Sequence, residues 1–122
     1  RLAPPYRPDR TASLARVQQV APPPTSVSAQ VTAAAATVDG GTIAIRTYSG
    51  LRFFEPHADT LRPLGIPADF FGPAQAQGEG VDFLGPHRVV LTGEAAGRRP
   101  ATLAFVRCDP RAPPPDSASV DG

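Results

Sequence analysis

Proline decides where this chain can build regular structure. Nine of the 16 prolines gather at Pro4, Pro5 and Pro8, at Pro22, Pro23 and Pro24, and at Pro113, Pro114 and Pro115. Proline lacks an amide proton and fixes φ, so such clusters cannot join a regular hydrogen-bonded ladder. They leave roughly 80 residues of foldable chain, near the size where a single core becomes marginal. The clusters divide the sequence into a Pro-rich arm (1–30), a body (31–108) and a Pro-rich tail (109–122). In the arm, Leu14, Arg16, Gln18 and Val20 alternate with Val17 on the other side, which predicts one strand between Pro8 and the triple proline. The triple proline itself suits a polyproline II segment. The tail has almost nothing to bury.

In the body, apolar runs alternate with turn signals. Residues 31–38, VTAAAATV, could suggest a helix by alanine propensity. The run is about two turns long, is flanked by β-branched residues and ends in Asp39-Gly40, so a strand is expected. Alanines in a strand suit a place where sheets or backbones approach closely. Residues 42–48 alternate, with Ile43, Ile45 and Thr47 on one side and Thr42, Ala44, Arg46 and Tyr48 on the other. Ser49-Gly50 turns the chain into a strand at 51–55, which Pro56 should stop. A short outer strand is expected at 61–66, interrupted by Pro63. Further strands are read at 78–84, 88–92 and 101–108. The expected core is Ile43, Ile45, Phe53, Val89, Leu91 and Phe105.

The body also repeats itself. A shift of 46 residues lays Ile43, Ala44 and Ile45 on Val89, Val90 and Leu91. The same shift lays Val38 on Leu84, with no gap needed from Val31 to Tyr48. After an insertion of six residues, 97–102, Leu51, Arg52, Phe53 and Phe54 fall on Leu103, Ala104, Phe105 and Val106. A period in the forties with three or four strands per unit is the size of a propeller blade. Two ordinary meanders of one β-sandwich are the plainer alternative.

The run VTAAAATVDGGTIAIRTYSGLRFFE resembles the blade pattern of secreted bacterial β-propellers. There an inner strand leads through Asp-Gly to a strand of the "VALRTY" type and then to one ending in aromatics. Gln77-Gly78-Glu79-Gly80 and the later Leu91-Thr92-Gly93-Glu94 resemble the next blade. The likeness covers residues 12–108. It implies an all-β fold of antiparallel meanders, partly β-propeller-like, with about two blades and Pro-rich extended tails. Closed propellers need about four blades or more, and Gly85-Pro86 replaces Asp39-Gly40 in the second unit. The related propellers include phytase-like and esterase-like enzymes; their activity does not carry over, because most of the ring that would hold a site is missing.

All 12 basic residues are arginine, they are scattered, and the net charge is +1. A nucleic-acid surface would cluster them with aromatics between, so none is expected. No apolar run reaches the ~18 residues of a membrane-spanning helix. The chain opens on Arg1, which fits either removal of a leader peptide or a piece of a longer chain. Cys108 is a lone cysteine, read as a half-buried thiol at a strand end or, alternatively, a reactive one. Glu79 and Glu94 occupy matching places on two strands and are the weak candidates for a metal or acid–base pair. The alternative pairs them with Arg46 or Arg88. His57 and His87 each sit beside a proline in a turn without a third ligand. No cofactor motif is present.

The residues expected to meet a partner are Phe70 and Phe71 in a loop, Arg98 and Arg99 at an inserted turn, and Pro113, Pro114 and Pro115 in the tail. The functional expectation is a non-catalytic, extracytoplasmic (periplasmic or extracellular, bacterial) structural subunit. Its partners would be other protein chains of a larger assembly, such as a membrane complex of the respiratory or photosynthetic kind. The alternative is a fragment of a secreted propeller hydrolase.

Overall fold

The computed structural model describes residues 7–9, 11, 13, 15–69 and 77–111. The fold is all-β apart from a short 3₁₀ turn at Val27–Ala29. Sheet A contains β1 (Val31–Ala36), β2 (Ile43–Thr47), β3 (Gly50–His57) and β4 (Thr60–Asp69) in chain order. Sheet B contains β5 (Gln77–Phe83), β6 (Arg88–Glu94) and β7 (Thr102–Arg107), also in order. Both are antiparallel meanders, and neither closes into a barrel.

Local chemistry explains the hairpins. Between β1 and β2, Asp39 Oδ1 accepts from Thr37 Oγ1 (2.6 Å) and from the amide of Gly41 (3.0 Å). Gly40, at φ +70°, takes the left-handed position that glycine occupies without steric cost. Between β2 and β3, Thr47 Oγ1 accepts from the Gly50 amide at 2.8 Å. The alanine run is a strand, not a helix. Pro56 does not stop β3: it stands opposite Leu61, past the last β3–β2 pair at Phe54 and Ile43, where its missing amide interrupts no ladder to β2. Pro63 likewise sits within β4, an edge strand.

The arm differs from the expected strand. Residues 15–20 have no ladder partner and run as irregular chain over sheet A. They are held by the Gln18 side chain, whose Oε1 accepts from the Leu61 amide (2.7 Å) and whose Nε2 donates to the Leu61 carbonyl (3.0 Å).

The two sheets share one pairing register. Ala44 opposite Phe53 and Arg46 opposite Leu51 correspond to Val90 opposite Phe105 and Thr92 opposite Leu103, the β2 residues moved by 46 and the β3 residues by 52, past the six-residue insertion. The first strands superpose with a shift of 47, not 46. Ala33 opposite Arg46 matches Gly80 opposite Thr92, and Ala36 opposite Ile43 matches Phe83 opposite Val89. The gap-free alignment of the first strand is therefore corrected by one residue, which flips its side chains to the other face. The extra residue lies in the turn: Thr37 N donates to Thr42 O across four residues, and Leu84 N to Arg88 O across three. Both first strands carry an irregularity at the same place, at Thr32 in β1 and at Glu79 in β5.

Each sheet has a leading face, with Ala44, Arg46, Leu51 and Phe53 in sheet A and Val90, Thr92, Leu103 and Phe105 in sheet B. Each also has a trailing face, with Ile43, Ile45 and Phe54 in A and Val89, Leu91, Ala104 and Val106 in B. The leading face of A packs on the trailing face of B. The core is Ala44, Leu51, Phe53, Val89 and Leu91, extended by Leu64, Val81, Phe83, Ala104 and Val106. The Phe53 and Phe83 rings lie 6.3 Å apart. The sheets come closest where β1 and β2 meet β5. Gly78 permits that approach, since a Cβ there would meet the Arg46 side chain of sheet A.

This stacking corrects half of the expected core. Phe53, Val89 and Leu91 are buried; Ile43 and Ile45 are half-buried on the trailing face, and Phe105 is 64% exposed. Equivalent residues were expected to be buried together. The sheets instead pack in the same sense, so a residue at the interface in one sheet has its counterpart outside in the other.

Candidate functional site

The exposed leading face of sheet B is the main candidate surface. Period-two alternation puts Val90 on β6 and Leu103 and Phe105 on β7 on one side, with Phe105 directly opposite Val90. Leu103 is 60% exposed and Phe105 64%. Their counterparts in sheet A, Leu51 and Phe53, are 1% and 7% exposed. Nothing among the described residues covers this face. At one end of it Arg88 stands directly opposite Arg107, a like-charge pair that costs stability unless a counter-charge approaches.

Arg46 joins the two sheets. It is 4% exposed, and its Nη1 donates to the carbonyls of Gly80 (2.5 Å) and Thr92 (3.0 Å) in sheet B. Burial pulls the guanidinium below its ordinary pKa, and the charge of Glu79 pushes it back up. A Cβ on Gly78 would overlap the Arg46 guanidinium, which explains glycine there. Alternation had already set Arg46 in phase with Ala44. The signal that it faces inward was the Gly-Glu-Gly of β5, whose open backbone and carboxylate suit an incoming arginine.

A cleft of about 680 Å³ opens at the turn end of the two sheets, between residues 37–42, the β5–β6 turn and residues 109–111. Its charged groups are largely engaged in structure. Asp39 is held below the usual carboxylate range by the Thr37 hydroxyl and then by the Gly41 amide. Arg111 Nη1 donates to Glu55 Oε2 at 2.8 Å, while Arg62 bonds the other Glu55 oxygen. His87 Nδ1 lies 4.0 Å from Asp109 Oδ1, both solvent-exposed. Among the described residues, no three His, Cys, Asp or Glu side chains gather as a metal site.

The other expected site residues are dispersed. Glu79 is half-buried at the β5 irregularity beside Arg46, and Glu94 is exposed at the end of β6. Arg98 and Arg99 lie on the β6–β7 turn, closed by reciprocal Ala96–Arg99 backbone bonds of 3.1 Å. Phe70, Phe71, Pro113, Pro114 and Pro115 lie outside the described residues. Cys108 is half-buried, its thiol pushed up in pKa by burial and then by Asp109. No described helix is long and apolar enough to cross a membrane. In comparisons with protein-family models, curated proteins and solved structures, the chain matches none.

Proposed function

We propose that the chain is a non-catalytic interaction subunit, built as two propeller-like blades, that docks on other protein chains outside the bacterial cytoplasm. The observation that carries the interaction reading is the leading face of sheet B. It exposes Leu103 and Phe105 at positions whose counterparts in sheet A form the core. Exposed apolar surface concentrated on one sheet face marks a contact site more often than chance scatter does. The blade reading is supported by the shared register, by the irregularity at matching places in β1 and β5, and by the convergence of the sheets on those first strands. The hydrolase alternative would need Glu79 or Glu94 free in a channel. Glu79 instead lies beside Arg46.

The test is a photo-crosslinking residue in place of Phe105 in the full chain, expressed in its native host. The expected result is one or two discrete covalent protein adducts, absent when the residue replaces Arg98. No adduct at position 105 overturns the reading.

A further inference from the structure

The leading face of sheet A is covered by the trailing face of sheet B. The same two kinds of face occur once more at opposite ends of the stack, neither packed on another sheet. On sheet B the leading face exposes Leu103 and Phe105, with Val90 half-buried between strands, and no other sheet of the described residues packs on it. On sheet A the trailing face carries Ile43 and Ile45, both half-buried, and Phe54, which is only 3% exposed, so a docking copy must displace what covers it. A groove of about 630 Å³ runs between the arm and Ile45, Thr47, Arg52 and Phe54. Residues 15–19 are themselves exposed, with Val17 at 65%.

We infer that a second copy of this chain docks its trailing face, Ile43, Ile45 and Phe54, on Val90, Leu103 and Phe105. This continues the packing that sheet A already makes on sheet B. The inference rests on the interaction reading and names its partner. The occupant follows from continuity with the existing interface. A face that shares the register of sheet A's leading face, and repeats its Leu and Phe, is matched by the type of face that sheet B already supplies. Such contact is one-way, so it cannot close as a twofold dimer; copies add head to tail. The sheets converge on their first strands, which turns each sheet relative to the last and favours closure into a ring over an open fibre. The arm is the obstacle, since it must swing aside as a copy arrives, and the Gln18–Leu61 bonds hold it down.

The experiment is sedimentation equilibrium of the full chain from low- to high-micromolar concentration, with two blocking variants. Phe105→Glu blocks the leading face. Ala34→Arg blocks the trailing face, because Ala34 is exposed there opposite Ile45. Wild type is expected to associate beyond the dimer, and each variant alone to associate at least tenfold more weakly. A mixture of the two variants retains one good interface and is expected to give a 1:1 complex that grows no further. Gln18→Ala should tighten wild-type association several-fold. Should circular dichroism show Phe105→Glu unfolded, Leu103→Arg on the same exposed face takes its place with the same expectation. Wild-type association unaffected by Ala34→Arg points to a twofold contact and overturns the proposal, as does a mixture that forms no complex. A wild type that stays monomeric also overturns it. If position 105 then crosslinks to a different protein, the interaction reading stands without this partner.

Discussion

Replacing Arg46 by methionine keeps most of the side-chain volume and removes the charge and its hydrogen bonds. Two carbonyls, those of Gly80 and Thr92, lose their donor, and Glu79 loses its neighbouring cation. An acceptor left unsatisfied in the interior costs about 1–3 kcal/mol, and a hydrogen bond to a charged group contributes about 1.5–3 kcal/mol. Thr92 sits near solvent, so water recovers part of its share. The buried guanidinium also had a desolvation cost that methionine avoids. A net loss of about 2–4 kcal/mol remains, a large fraction of the roughly 5–15 kcal/mol stability typical of a domain. At about 4–8 °C per kcal/mol, the melting temperature should fall on the order of 10–30 °C. The measurement is urea unfolding followed by far-UV circular dichroism at fixed protein concentration. Arg98→Met, at the exposed β6–β7 turn, is the control and should cost under about 0.5 kcal/mol. If Arg46→Met matches that control, Arg46 does not hold the sheets together.

Three further outcomes are expected. Ala58 holds φ +50° in the two-residue β3–β4 turn, so Ala58→Gly should raise stability by about 0.5–1 kcal/mol in the same urea assay, and a loss would show that the turn carries no strain. Glu55 is held below its ordinary pKa of about 4.5 by hydrogen bonds from Arg62 and then Arg111. A lowered carboxylate contributes stability above its unfolded pKa and loses it as pH falls through the folded value. Glu55→Gln should therefore destabilise at pH 7 and converge on wild type as the solution is acidified below about 4.5, whereas a pH-independent difference would rule the linkage out. For Cys108 the sign reverses: its raised thiol pKa gives stability that is present below the ordinary 9.0 and lost as pH rises through the folded value. Its reaction with an aromatic disulfide reagent at pH 8 should be much slower in the native chain than in urea, and equal rates would place the thiol in open solvent.

The strands were legible because their signals are local. Asp39-Gly40, Ser49-Gly50 and the alternation between them act within a few residues, and the hairpins follow. Which face of β2 turns inward was not legible. Ile43 and Ile45 make the more apolar side, yet the side with Ala44 and Arg46 is buried, because the neighbouring sheet brings glycines and carbonyl oxygens to it. That depends on the direction of stacking, which alternation does not encode. The register of β2 and β3 on β6 and β7 could be read from the sequence. The one-residue difference in the first turn was hidden, since a run of alanines looks the same when moved by one. The arm's alternation suggested a strand, but a strand requires a ladder partner, and residues 15–20 instead bond sheet A through the Gln18 side chain. Of the candidate site, Glu79 was seen as a carboxylate with its pairing to Arg46 left open. Phe105 was taken for core because the repeat lays it on Phe53, and Leu103 was not singled out.

The Gln18 carboxamide gives and takes one hydrogen bond with the same residue of β4, as a peptide group of an added strand would. It is a one-residue stand-in for a neighbouring strand, on an edge that no other described strand pairs with. That makes the contact vulnerable to slow chemistry. Deamidation to glutamate keeps the acceptor but destroys the donor, and sets a carboxylate against the Leu61 carbonyl, so the arm would be released without any change in the sheets. In an ageing preparation, a gain of one acidic charge at this position would separate chains with a fastened arm from chains with a loose one.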